Sequence, residues 1–286
     1  MTTSLLIMAA GMSSRMKKSS SNRINSRKIN QANTLSKALI EIGGDGKPPL
    51  LYYLLYNAQK AGYKTIYLIT GKDSSSFRSI IQSFSKLNNV QINFVTQHIH
   101  TTRIKPWGTA DAVFQALEQF PLLQNEFFSV CNSDNLYSIN AFQKIRSVQQ
   151  GNAIIAYDID FLKFNKEKIS GFALLVFDIY FKLLKMVEKP DPKDFQKYAA
   201  SNGHLYASMN LFTFSGKQFY PFLKNCPVDL VRNEKELPTA IFNMIKSIPA
   251  SVSGIIMQEH VPDLTKKNDI LYLEKHIKEL NLLKQL

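Results

Sequence analysis

The stretch LLIMAAGMSSRM, residues 5–16, is an apolar run that ends in Ala9, Ala10 and Gly11 and then delivers Arg15. Side chains this small let backbone N–H groups approach an anion closely, and phosphate is the guest that such a strand-to-turn segment suits. A plain structural turn is the competing reading. No acidic residue occurs at positions 1–40, whereas seven basic ones stand at positions 15–37. That imbalance suits a cover over a polyphosphate, and a merely solvated loop would look the same. Residues 43–49, GGDGKPP, imitate a phosphate loop only superficially, because Lys47 precedes Pro48 rather than Ser or Thr. None of the five histidines stands in a catalytic context.

The elements that must position these residues are legible in outline. Leu5, Leu6, Ile7, Met8 and Ala9 read as a buried parallel strand. Residues 49–63 read as a helix with Pro49 at its start and Gly62 at its C-terminal cap. Further strands are predicted over 65–71, 90–97 and 127–135, with a helix over 110–120 between the last two. Strand, helix, strand in repetition makes βαβ units, a parallel sheet and a ligand crevice at the strands' C-terminal ends. The second half is less regular, with a strand over 207–215, a helix over 236–248 and a closing amphipathic helix from Asp269. In that helix Ile270, Leu273, Ile277 and Leu280 recur at helical spacing. Residues 17–36 are polar, basic and free of acids, and read as a mobile loop.

Bulk properties bound the class. A chain of 286 residues with 45% hydrophobic content suits one large domain or two small ones. No apolar run reaches the roughly 18 residues of a membrane helix, and no signal peptide opens the chain, so a cytoplasmic protein is expected. Cys131 and Cys226 lack metal-ligand spacing and are expected as buried thiols. The formal charge of +13 invites a nucleic-acid reading. The lysines are scattered and the aromatics lie in apolar runs, so no nucleic-acid partner is expected.

Six motifs in order resemble those of the nucleotide-sugar pyrophosphorylases, also called sugar-phosphate nucleotidyltransferases, over nearly the whole chain. MAAGMSSRM resembles the family's N-terminal signature, with Ala9, Ala10 and Gly11 in the phosphate-facing turn. SKALIEIGG resembles the lysine segment that follows, which puts Arg15 and Lys37 at the phosphate-binding cations. RIKPWGTADAV is similar to the base-recognition segment, placing Gly108 and Thr109 beside the nucleobase and Gln97 near its edge. VCNSDNLY sets Asp134 on the metal-binding aspartate, and PDLTKKND sets Asp263 on the second metal ligand. MVEKP directs Glu188 toward the sugar and Lys189 toward its phosphate; Gly171 and Asn210 fall where the family contacts the acceptor.

The resemblance implies an α/β fold with a Rossmann-like, mostly parallel central sheet flanked by helices, of the nucleotide-diphospho-sugar transferase (GT-A-like) type. It implies one nucleotidyltransferase domain over 1–286, with a nucleotide-binding half (1–140) and an acceptor-binding half (141–286). The reaction it implies joins a nucleoside triphosphate, UTP first and CTP second, to a sugar 1-phosphate with release of pyrophosphate. Mg²⁺ is the implied cofactor, and a homo-oligomer is allowed. Nucleotidyl transfer to a non-sugar phosphate such as phosphocholine, and a catalytically inactive regulatory subunit, are the alternatives. Three departures stand out: Ser13 replaces the second signature glycine, Arg15 and Lys37 are unusually far apart, and Trp107 and Asp111 depart from better-known members. The second departure admits Lys17, Lys18 or Lys28 in the place of Lys37.

Overall fold

The computed structural model describes residues 1–84, 87 and 89–280. Nine strands form one sheet: β1 (Ser4–Met8), β2 (Thr65–Thr70), β3 (Gln91–Thr96), β4 (Phe127–Asn132), β5 (Asn152–Asp158), β6 (Ala173–Phe177), β7 (Leu183–Val187), β8 (Tyr206–Ser215) and β9 (Val252–Met257). Their order is β3-β2-β1-β4-β8-β5-β9, with the β6–β7 hairpin attached to β8. Along that path only β8 runs against its neighbours. The C-terminal ends of β1, β4 and β5 therefore share one edge, where a crevice is expected.

Among the described residues there are ten α-helices: α1 (Ser14–Lys18), α2 (Ser26–Thr34), α3 (Leu50–Ala61), α4 (Ser75–Gln82), α5 (Thr109–Gln119), α6 (Ile139–Arg146), α7 (Lys166–Ile169), α8 (Gly216–Lys224), α9 (Leu237–Ser247) and α10 (Asp269–Glu279). Strand alternation divides the core between the two faces. Leu5 and Ile7 of β1 pack with Leu54 and Ala58 of α3 and Phe142 of α6, whereas Leu6 packs with Val113 of α5 and Ile241 of α9. The mixed α/β sheet flanked by helices is the expected fold. Gly62 ends α3 in the left-handed region at φ 99°, as its place at the cap requires. Cys131 and Cys226 are buried free thiols. Among the described residues no helix is long and apolar enough to cross a membrane.

Residues 17–36, expected as a mobile loop, instead carry the end of α1 and all of α2. Met16, Ile24 and Ala32 are buried together with Ile270, Leu273 and Ile277 of α10, so the segment straps the N-terminal turn to the last helix. Its polar composition conceals how it is held. Asn25 caps α2 by accepting from the Lys28 N–H at 2.9 Å, and Lys28 is itself buried in an ion pair with Glu274. The Lys267 ammonium, also buried, donates to the carbonyls of Met16 (2.9 Å), Lys17 (3.1 Å) and Ser19. Few apolar side chains suffice here because buried cations satisfy the backbone.

Candidate active site

The turn after β1 begins with Ala9, whose N–H donates to Ile69 O at 2.8 Å, and reaches Gly11, where an added Cβ would meet nothing within 4 Å. The space beside it is open. Ser13 adopts a left-handed conformation, φ 56°, which glycine takes more readily, and its hydroxyl accepts from the Lys37 N–H at 3.3 Å. The substitution thus ties the signature turn to Lys37 across the intervening helices. Among the described residues the Lys37 ammonium is paired with Asp134, whereas Lys17, Lys18 and Lys28 make no ion pair with that carboxylate. Arg15 is exposed on α1, and among the described residues its guanidinium has no ion-pair partner.

Asp134 stands two residues past β4, and Asp263 is brought beside it from the far end of the chain. Leu264 N–H donates to Asp134 O (2.8 Å), Leu136 N–H to Pro262 O (3.1 Å), and Asn135 and Asp263 form an isolated bridge. Asp263 accepts from Asn135 Nδ2 (3.3 Å) and from the Thr265 hydroxyl (2.6 Å), and faces Lys168 Nζ at 3.3 Å. Burial raises the pKa of the Asp263 carboxyl, and repulsion from Asp134 raises it further, against the pull of Lys168 and Lys37. Two carboxylates brought together in this way, each paired with a lysine, are oxygen donors of the kind that could hold a divalent cation. Asp263 caps no helix. Asp269 accepts from Thr265 N–H (2.9 Å), Lys266 N–H (2.6 Å) and Lys168 (2.9 Å), closing the turn behind it.

The segment over residues 97–111 is held from inside. Gln97, directly after β3, is buried, and its Nε2 donates to Gly108 O and to Asp111 Oδ2, both at 2.9 Å. Gly108 has φ 115°, and a Cβ there would lie 2.6 Å from Lys235 O, so only glycine fits the seam. Thr109 accepts from Leu237 N–H at 2.9 Å, which joins the start of α5 to that of α9. The Arg103 guanidinium lies 3.7 Å from the centroid of the Trp107 ring. These contacts fix the segment's shape.

Glu188 and Lys189 follow β7, and the Glu188 side chain is 38% exposed. The protein around its carboxylate still removes enough water to raise the pKa of Glu188, opposed by Arg232 at 3.7 Å. Lys189 (φ 44°) and Asn210 (φ 57°) join Ser13 in the left-handed region. Non-glycine residues held there concentrate at functional sites, and of the six among the described residues Lys189 and Asn210 are candidate site residues. Asn210 lies where β8 irregularly leaves β5, and Tyr137 OH pins that bulge by donating to Met209 O at 2.6 Å. Gly171 closes the turn after α7, its N–H donating to Lys168 O at 3.0 Å. It is joined to the carboxylates only through Lys168.

Lys168, Asn135, Thr265 and Arg232 escaped the sequence reading. Nothing at Lys168 signals its role, since its partner Asp263 lies 95 positions away. A second carboxylate group, Asp158, Asp160 and His204, has potential ligand atoms within 4.8 Å of one another. Its buried member Asp158 is already bonded to Asp160 N–H (3.2 Å), His204 (3.0 Å) and Gln258 (3.3 Å).

A family model described as nucleotidyl transferase matches residues 31–251. Curated protein sequences give no match. Among solved structures, a UDP-glucose pyrophosphorylase complexed with UDP-glucose is similar, with TM-score 0.69 and 16% identity over 98% of this chain and 99% of that one. An apo UDP-glucose pyrophosphorylase gives TM-score 0.71 at 16% identity, over 98% and 100% of the two chains. The structural likeness shows a shared fold, and the family match covers most of the sequence from the basic strap to the edge of β9. The chain belongs to the nucleotidyl transferase family and is a nucleotidyltransferase.

Proposed function

We propose that the protein couples UTP to a sugar 1-phosphate, giving a UDP-sugar and pyrophosphate, with CTP the second choice of nucleotide. The observation that carries this reading is the meeting of Asp134 and Asp263, with Lys37 and Lys168, under an open small-residue turn at the C-terminal edge of the sheet. Two polyanions have to meet there, and at an effective dielectric of about 20 two unit charges 4 Å apart repel by about 4 kcal/mol. The site's task is to offset that repulsion and to align the reactants.

The acceptor phosphate oxygen attacks the α-phosphorus, the bond to the bridging oxygen of the β-phosphate breaks, and pyrophosphate leaves with that oxygen. The attacking oxygen is already ionised, so no general base is needed. The backbone of Ala9, Ala10 and Gly11 faces the triphosphate, and Arg15 and Lys37 take up charge on the departing pyrophosphate. Lys37 releases Asp134 as it does so. Asp134 and Asp263 would hold Mg²⁺, which would supply charge neutralisation to the phosphates. Lys189 holds the acceptor phosphate and Glu188 its sugar, with Asn210 and Gly171 lining the acceptor side. Gln97, Gly108 and Thr109 bound the nucleobase. In this assignment residues 1–140 bind nucleotide and 141–286 bind acceptor, with Asp263 reaching across.

The test is a pyrophosphate-release screen that crosses four nucleoside triphosphates with phosphorylated sugars and alcohols. Turnover with UTP and a sugar 1-phosphate is the expected result. Turnover only with an alcohol phosphate such as phosphocholine would move the acceptor class, and no product from any pair would leave a binding protein.

A further inference from the structure

Asp111 is an anomalous residue. It lies in the first turn of α5 and is buried, yet its carboxylate faces no cation among the described residues. Its partners are two side-chain amides: Gln97 Nε2 and Gln115 Nε2 both donate to Oδ2 at 2.9 Å. Gln115 is itself fixed, since its Nε2 also donates to His98 O (3.1 Å) and its Oε1 accepts from His98 N–H (2.8 Å). A buried ionised group is costly unless its bonds do something that a neutral residue would not.

The consequence falls on Gln97. Which end of a primary amide carries oxygen is set by its neighbours, and here both neighbours of one end, Gly108 O and Asp111 Oδ2, are acceptors. Turning the amide over would press Oε1 against a carbonyl and a carboxylate in a buried place, with both hydrogen bonds lost. The two amide hydrogens are therefore spent within the protein. Oε1 remains, and no donor among the described residues reaches it. Whatever completes Gln97 has to present a hydrogen.

We propose that Asp111 is a positioning residue for nucleobase choice: by locking the Gln97 amide with its oxygen free, it selects uracil, whose ring N3–H donates, over cytosine, whose N3 is an acceptor. The inference rests on the reading of Gln97 as bounding the base. It predicts the sign of the preference, which the fold alone does not. Cytosine can meet the fixed acceptor only with its exocyclic amine, one position away from the ring nitrogen, so it has to sit displaced from the place that uracil takes.

The experiment measures Kd for UTP and for CTP, with Mg²⁺, by calorimetry on the full chain, together with kcat/KM for both nucleotides where turnover is found. In Asp111→Ala the Gly108 carbonyl alone holds the amide, so turning it over costs one bond instead of two, and the UTP-over-CTP ratio is expected to fall by about tenfold, mostly through improved CTP binding. Asp111→Asn keeps an oxygen that can accept both amides and should hold the ratio within about threefold. Thermal melts identify any variant that fails to fold. In that event Asp111→Ser, whose hydroxyl stops short of the Gln97 amide, replaces the alanine variant with the same expectation. A purely structural role would weaken both nucleotides alike and leave the ratio unchanged, and that result overturns the proposal. So does a wild-type preference for CTP. Because the ratio is read from binding, an absence of pyrophosphate release would defeat the proposed reaction while leaving this test standing.

Discussion

Two carboxylate groups sit at the same edge of the sheet, at the ends of strands that run the same way. After β4, Asp134 meets Asp263, whose pKa is raised by burial first and by the facing charge of Asp134 second. After β5, Asp158 lies with Asp160 and His204, and the buried acid has three hydrogen-bonding partners of its own. Both acids have three partners, Asn135, Thr265 and Lys168 for Asp263 and Asp160 N–H, His204 and Gln258 for Asp158, but Asp263 keeps its raised pKa in spite of them. If the proposed metal site is the first group, facing charge and not mere proximity of acids is what marks it, and the two groups can be set against each other by substitution.

The largest expected effect tests that distinction directly. Asp134→Asn should lower Mg²⁺-dependent pyrophosphate release by about 10²–10³, the scale of losing one preorganised electrostatic contact in an active site. Asp158→Asn should leave kcat within a few-fold and act on stability, by about 1–3 kcal/mol, through its buried bonds. Equal collapse of turnover in both would erase the difference between the two groups. Next in size is Lys168→Met, which leaves Asp263 buried without its nearest cation. Breaking a buried pair from one side costs about 3–5 kcal/mol, and the part-exposure of Lys168 puts the expected loss at or below the lower end. Saturating Mg²⁺ should restore most of the melting temperature if the two carboxylates bind it. Failure of Mg²⁺ to restore it would place the cation elsewhere.

A smaller effect comes from the cavity of about 510 Å³ behind Asp263, whose walls include His260, His276, Lys163 and Lys168. Burial pushes the pKa of His260 down to about 4, with His276 and the two lysines adding to the shift. The unfolded chain binds the proton first, near pH 6.5, so His260's contribution to stability is complete above that pH. It is lost progressively as pH falls toward 4, by at most about 1.4 kcal/mol per unit. His260→Gln should flatten the decline in melting temperature between pH 6.5 and 4. An unchanged slope would show that the cavity does not govern the acid response of α10.

The sheet and its helices were legible because their apolar periods are strong: Leu5 and Ile7 against Leu6, or the buried face of α3 between Pro49 and Gly62. The candidate carboxylates were legible through motif resemblance. The strap over 17–36 was not, because its order comes from Lys28 on Glu274 and Lys267 on three carbonyls, contacts made across more than two hundred residues. Lys168 escaped for the same reason. Local pattern reports which segments bury apolar surface, whereas a buried cation's partner is a tertiary fact. The strap also accounts for the unusual spacing of Arg15 and Lys37, since the inserted residues leave the turn and return to it through Ser13.

The smallest effect concerns Ser13 itself, where two terms of opposite sign meet. A left-handed backbone at a non-glycine residue costs about 1–2 kcal/mol, which Ser13→Gly would relieve. The same change removes the hydroxyl that accepts from Lys37 N–H, and at 3.3 Å that bond contributes at most about 1 kcal/mol. Glycine also loses more entropy on folding, by about 0.5–1 kcal/mol. The terms nearly cancel, so melting temperature should move little and KM for the triphosphate by less than about threefold. Ser13→Ala separates them, because it loses the bond and keeps the strain. If alanine raises KM for the triphosphate while glycine does not, the Ser13 hydroxyl is dispensable only when the turn can relax. If neither does, the tie between the signature turn and Lys37 has no part in substrate binding.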